Sequence, residues 1–364
     1  MKTTTLTAWL LAGVMSAALA PNVAAAQAAP AARGAYKAPR TLGNLPDLSG
    51  TWTNASLTRS DRPTQYGDRL TMTEAEAKAL EGTSAANTAK GNEPTAAGAT
   101  VTDINTSCAT GGGGNGSGVG CAYNTGWIDP GSTVMRVNGQ PRTSFITFPA
   151  NGRVPTPKST ARTAPRQAIG EGQRGADRPG QNDNPETRTL ADRCLTSFGN
   201  SAGPVMLPQL YNNNYQIAQS RDAVVIVAEM VHDARIFRLN SKHRTDGIRP
   251  WYGDTIGWYE GDTLVMETVG YHPSQQFRGY PATDLKVTER LTRVAKDRLL
   301  YQFKVENPTV WDVAWGGEYE FGSTPGEMYE YACHEGNYAM EGILAGARNE
   351  ERVAAQAAGR TGTQ

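Results

Sequence analysis

The feature that most constrains this chain is a series of short, β-branched and apolar segments in its second half, separated by a few turn residues each. Leu299–Glu306 shows the pattern clearly, because every second residue there is large and apolar. Such alternation predicts a half-buried strand. Short connections such as Glu260–Asp262 predict hairpins, so consecutive strands should pair antiparallel. We therefore expect an all-β protein whose strands close into a barrel of about eight, since closure removes exposed sheet edges.

The predicted strands share this alternation or a short apolar run between turn signals. They are Thr51–Thr53, Ser144–Phe148, Tyr215–Ala218, Ala223–Leu239, Thr263–Val269, Val287–Val294, Leu299–Glu306, Val313–Phe321 and Met328–Cys333. One short surface helix is expected near the start of the chain. Thr73 and Glu76 form a capping box there, and Gly82 stands where such a helix would stop.

The remaining sequence offers little material for a core. The chain contains 40 Gly and 21 Pro residues, and residues 83–126 and 154–188 have few large apolar side chains. We therefore expect one domain over residues 47–350 that carries these two segments as irregular insertions. Residues 27–46 are expected to form a flexible leader and residues 351–364 a flexible tail.

The N-terminus has the pattern of a secretory signal peptide. Lys2 precedes an apolar run at Leu6–Ala20, and Ala24–Ala26 fits a small-residue cleavage site, so residues 1–26 are expected to be removed. The run is shorter than the roughly 20 residues that a spanning helix needs. We expect a periplasmic or secreted protein with no integral membrane segment after signal removal.

The four cysteines all lie beyond the predicted signal peptide, and an even number in an exported chain predicts two disulfides. Cys108 and Cys121 flank a Gly-rich stretch and form the local pair. Cys194 is then left to pair with Cys333. The cysteines and histidines lack the spacing of a metal site, so no metal is expected.

Charge and motifs exclude several function classes. The chain has 35 Lys and Arg against 35 Asp and Glu, a formal net charge of zero, so it presents no basic field and no nucleic-acid partner is expected. It has no phosphate loop, dinucleotide fingerprint, GxSxG nucleophile motif or haem-attachment motif. We expect the partner to be a small molecule and expect no cofactor, and the sequence favours no oligomeric state.

Five long segments of the chain are distinctive. They are DLSGTW at 47–52, LPQLYNNNYQI at 207–217, MVHDARIFRL at 230–239, GWYEGDTLVMET at 257–268 and MYEYACHEGNYAMEGILAGAR at 328–348. They resemble an uncharacterised family of exported bacterial proteins, and this resemblance implies a mostly β exported protein without implying an activity. SGTW at 49–52 also resembles the GxW signature of the first lipocalin strand, which favours an up-and-down, calycin-like barrel.

The first candidate site lies in the long predicted strand Ala223–Leu239. Strand alternation would place Glu229, Asp233 and Arg235 on one face and His232 on the other. Whichever face is inside, it carries a polar group that must be paired or functional. A structural network and a reactive site are both compatible with this pattern.

The second candidate site is the segment Tyr329–Tyr338. A histidine such as His334 beside a carboxylate such as Glu335 can act as a general base, and Tyr329 and Tyr331 could donate to a developing oxyanion. The alternative is that a disulfide fixes this strand and that the tyrosines only pack.

Aromatic residues crowd residues 249–280, among them Tyr252 and Trp258, beside carboxylates and arginines. Flat rings with polar groups at their edge bind saccharides or aromatic compounds, although ordinary packing at a barrel rim gives the same composition. His243 and His272 lie in polar loops and are expected to be solvated.

These observations favour an exported enzyme that performs acid–base chemistry, either hydrolysis, elimination or isomerisation, on a small carbohydrate or aromatic substrate. Such an enzyme would be a hydrolase or a lyase, with His334 or His232 as the base. Arg235 would hold an anion. The predicted catalytic residues, expected around one cavity, are His232, Asp233, Arg235, His334 and Glu335, and the predicted substrate-binding residues are Glu229, Tyr252, Trp258, Tyr329 and Tyr331. The alternative is a ligand-binding barrel without turnover.

Overall fold

The structure is a computed structural model that describes residues 36–41, 43–92, 98, 129–162, 182–197 and 203–361. The predicted signal peptide and the Cys108–Cys121 pair lie outside the described residues. The described strands, in chain order, are β1 (Gly50–Thr53), β2 (Arg136–Val137), β3 (Gln140–Pro141), β4 (Ile146–Phe148), β5 (Asn214–Gln219), β6 (Ala223–Ala228), β7 (Ala234–Leu239), β8 (Asp254–Glu260), β9 (Thr263–Val269), β10 (Gln276–Phe277), β11 (Tyr280–Pro281), β12 (Lys286–Ala295), β13 (Arg298–Glu306) and β14 (Trp315–Ser323). The helices are α1 (Glu74–Gly91) and α2 (Tyr338–Thr361).

Nine of these strands form a closed barrel in the order β1-β5-β6-β7-β8-β9-β12-β13-β14, and β14 pairs back to β1. The predicted all-β barrel is confirmed, with one strand more than expected. Neighbouring strands are antiparallel except β7 and β8, which pair in parallel at Arg238 with Ile256 and Leu239 with Gly257. A parallel pair needs a crossover rather than a tight turn, and residues 240–253 provide it.

Side chains fill the barrel interior. Alternate residues of each strand point inward, so that neighbouring strands contribute facing rings such as Tyr301 and Tyr319, which are 5.0 Å apart between ring centres. The largest fully buried side chains of the strands are Trp52, Trp315, Tyr215, Tyr301, Tyr319, Phe237 and Ile226. This interior is a packed core and does not resemble the open ligand cavity of a lipocalin.

Residues 203–206, which we call the plug, close one end of the barrel. The Met206 N–H donates to the Tyr301 hydroxyl at 3.2 Å. The Met206 carbonyl accepts from Asn54 Nδ2 at 3.0 Å and from the Tyr319 hydroxyl. Since Met206 is 1% exposed, these bonds satisfy backbone groups that burial would otherwise leave unpaired.

Helix α1 begins as predicted and ends later than predicted. Thr73 and Glu76 form the expected capping box. The helix then continues through Gly82 to Gly91, into the segment expected to be irregular. The segment after Gly82 is rich in Ala, which favours a helix, and one interior Gly costs only about 1 kcal/mol.

The segment after the barrel was predicted incorrectly. Residues 328–333 form no strand, and Tyr329 is 80% exposed, so this segment has no buried face to pair with the sheet. Residues 351–364, expected to be a tail, are helical as far as Thr361, as part of α2. Neither helix within the described residues is long and apolar enough to cross a membrane.

Candidate functional site

The candidate site is built on the turn between β6 and β7. The sequence pattern predicts one long strand over Ala223–Leu239, and this is wrong, because β6 and β7 form an antiparallel hairpin. Val231 and His232 both have left-handed backbone angles, with φ of 60° and 45°. For a β-branched residue such as Val231 this conformation is costly, by about 1–3 kcal/mol, and such strain concentrates at functional sites.

Asp233 follows this turn and is held by two neutral groups. The Tyr252 hydroxyl donates to Asp233 Oδ2, and the Ser197 N–H donates to the same oxygen at 2.7 Å. Burial, the largest influence, raises the pKa of Asp233 to about 6, and the hydrogen bonds from Tyr252 and Ser197, together with the charge of His232, offset part of that effect. A carboxyl group that titrates near neutral pH can both take up and release a proton.

Tyr252 connects Asp233 to the barrel rim. Its oxygen also accepts from the Ser197 N–H at 2.9 Å. Burial and the charge of Asp233 raise the pKa of Tyr252 well above 10. Tyr252 is therefore a neutral phenol whose proton points at a carboxylate.

The predicted disulfide between Cys194 and Cys333 is confirmed, with 5.8 Å between the two Cα atoms. It joins the segment that carries Ser197 to the segment that carries Tyr331. The Tyr331 carbonyl lies 3.0 Å from His232 Nδ1. Because a carbonyl only accepts, Nδ1 must be the donor, and Nε2 of a neutral His232 ring is then an acceptor.

A cleft opens beside Tyr252 at the same end of the barrel, and we call it the rim cleft. Its walls enclose about 330 Å³, of which only about 20 Å³ admits the centre of a water-sized group. The lining residues are Thr196, Gly203, Pro204, Trp251, Tyr252, Tyr271, Gln275, Gln276, Phe277, Ala282 and Leu285. The predicted aromatic site in residues 249–280 therefore includes Tyr252, with Trp251 beside it.

A wider groove lies on the other side of the plug. About 360 Å³ of it admits the centre of a water-sized group, against about 20 Å³ in the rim cleft. Its lining residues are Ser56, Thr58, Arg59, Ser60, Pro130, Phe145, Leu207, Pro208, Gln209 and Arg278. Arg278 donates to Asp61 Oδ2 at 3.0 Å. This groove is large enough for a small ligand.

Arg235 is not available to hold an anion, and its predicted role is corrected. It lies inside the barrel, 1% exposed, and forms an ion pair with Glu289, which is 0% exposed. The Tyr301 hydroxyl donates to Glu289 Oε1 at 2.6 Å. The pair is shielded from solvent, so Arg235 belongs to the barrel interior and does not face a ligand.

The second predicted cluster does not join the first in one cavity. His334 and Glu335 are exposed in the turn after Cys333. The backbone carbonyl of Tyr331 reaches the β6–β7 turn. The expectation that all five predicted catalytic residues surround one cavity is therefore not met.

The remaining predicted binding residues do not line the rim cleft. Glu229 accepts from Asn214 Nδ2 at 2.8 Å. Trp258 donates to Glu260 at 3.0 Å, on the outer side of β8. Tyr329 is exposed to solvent.

His243 was expected to be solvated, and this is wrong. Its Nδ1 lies 2.8 Å from Asp254 Oδ2 and its Nε2 lies 3.2 Å from Glu267 Oε1. Burial opposes ionisation, but Arg238 and the other donors around it lower the pKa of Asp254 to about 2. His243 thus fastens the 240–253 connection to the barrel wall.

His272, also expected to be solvated, packs against Trp251 with 3.9 Å between ring centres. It therefore supports one wall of the rim cleft. Within the described residues, no group of three or more His, Cys, Asp or Glu side chains is placed to hold a metal ion.

Comparison with known proteins finds no family model and no curated sequence that matches this chain. The resemblance to a family of exported proteins therefore stays a prediction. The geometry of the site is therefore the basis on which a function is proposed.

Proposed function

We propose that this protein is an exported enzyme that performs acid–base chemistry on a small carbohydrate or aromatic substrate at the rim cleft. The observation that carries the proposal is the placement of Asp233, a half-buried carboxyl group whose hydrogen bonds come from neutral groups, directly behind a tyrosine of the cleft wall. Perturbed titrating groups next to a cleft are the usual mark of an acid–base site.

In this proposal Tyr252 touches the substrate and Asp233 stores the proton. The Tyr252 hydroxyl donates to Asp233 and accepts from the Ser197 N–H, and a substrate proton takes the position at the phenol oxygen that the Ser197 side chain otherwise occupies. As the substrate proton moves to Tyr252, the phenol proton moves to Asp233, so the phenol stays neutral throughout. The reverse transfer returns the proton to a leaving group or to the product. The same two proton transfers serve elimination and isomerisation, and they serve hydrolysis when the proton taken up is that of the attacking water.

His232 is the second titratable group at this rim. With Nδ1 facing the Tyr331 carbonyl, its Nε2 can accept a proton from a substrate or a water molecule. We assign it the supporting role, because it is exposed and does not line the rim cleft.

The test is turnover of a panel of aryl esters, aryl glycosides and small saccharides. We expect Asp233→Asn to lower the rate about 10²- to 10⁴-fold, the usual contribution of a general acid–base group. Asp297→Asn is the matched control, because Asp297 is exposed in the β12–β13 turn, and it should leave the rate unchanged. Equal rates for Asp233→Asn and the unmodified protein would refute the proposal.

The second candidate function is ligand binding without turnover. The observation that favours it is the groove of about 360 Å³ on the other side of the plug, the larger of the two spaces. Binding there should depend on Arg278 and be indifferent to Asp233. Saturable binding that Arg278→Gln abolishes, without turnover of any panel member, would favour this function.

A further inference from the structure

Tyr271 is a buried donor in the wall of the rim cleft that the acid–base proposal does not use. It follows β9 and is 4% exposed. Its hydroxyl has no hydrogen-bond partner among the described residues. The Thr268 hydroxyl is the smallest influence on the pKa of Tyr271 and lowers it, but it lies outside hydrogen-bond geometry and is engaged with Arg235 and Thr255.

Buried hydroxyl groups are normally paired, so an unpaired one on a residue that lines a cleft needs an explanation. A bound ligand that carries an acceptor atom supplies one. Burial, the largest influence, raises the pKa of Tyr271 well above 10. Its phenol is therefore a permanent donor that can satisfy a carbonyl or hydroxyl oxygen at any physiological pH.

The other lining residues narrow the chemistry of that ligand. None of the described lining residues carries a charge, and the polar ones besides the two tyrosines are Thr196, Gln275 and Gln276. A charged ligand would lose its hydration there without meeting an opposite charge. Trp251 lines the cleft with a flat apolar ring, and such rings stack against planar ligands.

We propose that the rim cleft binds a neutral, planar compound through an acceptor oxygen, and that Tyr271 is the residue that selects this oxygen. The inference rests on the proposed function in that it names the substrate class of the same cleft. The space that admits a water-sized group, about 20 Å³, fits a carbonyl or hydroxyl group and leaves the ring at the mouth beside Trp251.

A ligand-binding role for Tyr271 and a structural role predict different effects of Tyr271→Phe on thermal stability. Tyr271→Phe removes a hydroxyl that has no partner in hydrogen-bond geometry among the described residues, so the midpoint of thermal unfolding should stay unchanged or rise. Tyr301→Phe is the matched control. Its hydroxyl donates to Glu289 and accepts from Met206, so its loss should lower the midpoint. A fall for Tyr271→Phe as large as that for Tyr301→Phe would show a structural role and overturn the inference.

The binding test uses three ring compounds of similar size, followed by ligand-observed NMR: benzamide, toluene and benzoate. Benzamide is neutral with an acceptor oxygen, toluene lacks the oxygen, and benzoate is charged. We expect benzamide to bind most tightly, and Tyr271→Phe to weaken it about tenfold, the value of one good hydrogen bond. The affinity for toluene should be the same in both proteins.

Equal benzamide affinity in Tyr271→Phe and the unmodified protein would overturn the inference, as would benzoate binding more tightly than benzamide or no benzamide binding at millimolar concentration. Because the measurement involves no turnover, it is independent of the acid–base proposal. Loss of turnover in Asp233→Asn with unchanged benzamide binding in Tyr271→Phe would refute only the Tyr271 inference. Tyr271-dependent binding with no effect of Asp233→Asn on turnover would refute only the acid–base proposal.

Discussion

Asp233 and Arg235 stand two residues apart in the chain, yet their charged groups lie in opposite environments. Arg235 points into the core, where Glu289 neutralises it and Tyr301 completes the network. Asp233 lies at the rim, where its partners are the neutral Tyr252 hydroxyl and a backbone N–H. Strand β7 thus carries Arg235, which has an oppositely charged partner, and directly follows Asp233, which has no ion-pair partner among the described residues.

The difference shows what separates a structural charge from a reactive one. A buried charge with an opposite partner is held in one ionisation state at all relevant pH values, and it serves packing and specificity. A half-buried carboxyl group with neutral partners keeps its desolvation cost, so its pKa moves toward neutrality. We infer that the barrel network fixes the position of β7, and that β7 positions the titrating group.

The largest effect is expected from breaking the interior pair. Glu289→Ala leaves Arg235 charged and buried without a partner, so the free energy of unfolding should fall by about 3–5 kcal/mol. Urea unfolding measures this change. The double variant Arg235→Met, Glu289→Leu should recover most of the loss, because it removes both charges together. If the double variant is as unstable as Glu289→Ala, the charge is not what makes the single change costly.

Replacing Asp233 should change the free energy of unfolding in the opposite direction, by raising it. Since the folded protein raises the pKa of Asp233 from 3.8 to about 6, the native state holds this proton more tightly than the unfolded chain. The contribution of Asp233 to stability is then most favourable below pH 4, declines between pH 4 and 6, and is lowest above pH 6. Asp233→Asn should therefore be more stable than the unmodified protein at pH 8, by up to about 3 kcal/mol.

That difference should vanish at pH 4. Urea unfolding at the two pH values, with Asp297→Asn as the control, measures it. Equal stabilities of Asp233→Asn and the unmodified protein at pH 8 would mean that ionised Asp233 is not destabilising. Asp233 and Arg235 would then not differ in the way described above.

The smallest effect concerns the hydrogen bond between Tyr252 and Asp233. This bond favours the carboxylate, so Tyr252→Phe should raise the pKa of Asp233 further, by about one unit. Tyr259→Phe is a suitable control, because Tyr259 accepts from Gln219 at 2.7 Å near the far end of β8. The pH dependence of unfolding compares the two variants. A pKa that falls or stays constant in Tyr252→Phe would contradict the assigned bond.

The sequence predicts the barrel well and the site only in part. The alternation of apolar and polar residues over Leu299–Glu306 and the other strands predicts the sheet, because it shows directly which side chains are buried. The Cys194–Cys333 pair follows from the cysteine pattern. Glu289 was overlooked, although it is visible as a carboxylate between Val287 and Leu291 on an inward face, and such a residue needs a buried cation.

The turn that carries Asp233 was not predictable from the pattern. Apolar residues continue to alternate from Ala228 through Met230, so nothing in the periodicity marks the end of β6. The turn uses left-handed angles at Val231 and His232, which their side chains disfavour. Tertiary contacts impose that conformation, since the disulfide brings the Tyr331 carbonyl to His232.

The most direct test of the account is a ¹³C NMR titration of the Asp233 side-chain carboxyl group in the full protein, assigned with Asp233→Asn. We predict a midpoint near pH 6, above the ordinary aspartate value of 3.8, and a higher midpoint in Tyr252→Phe. A midpoint at or below 3.8 that Tyr252→Phe does not move would show that Asp233 is an ordinary solvated carboxylate, and would contradict its role as the proton-carrying group of this site.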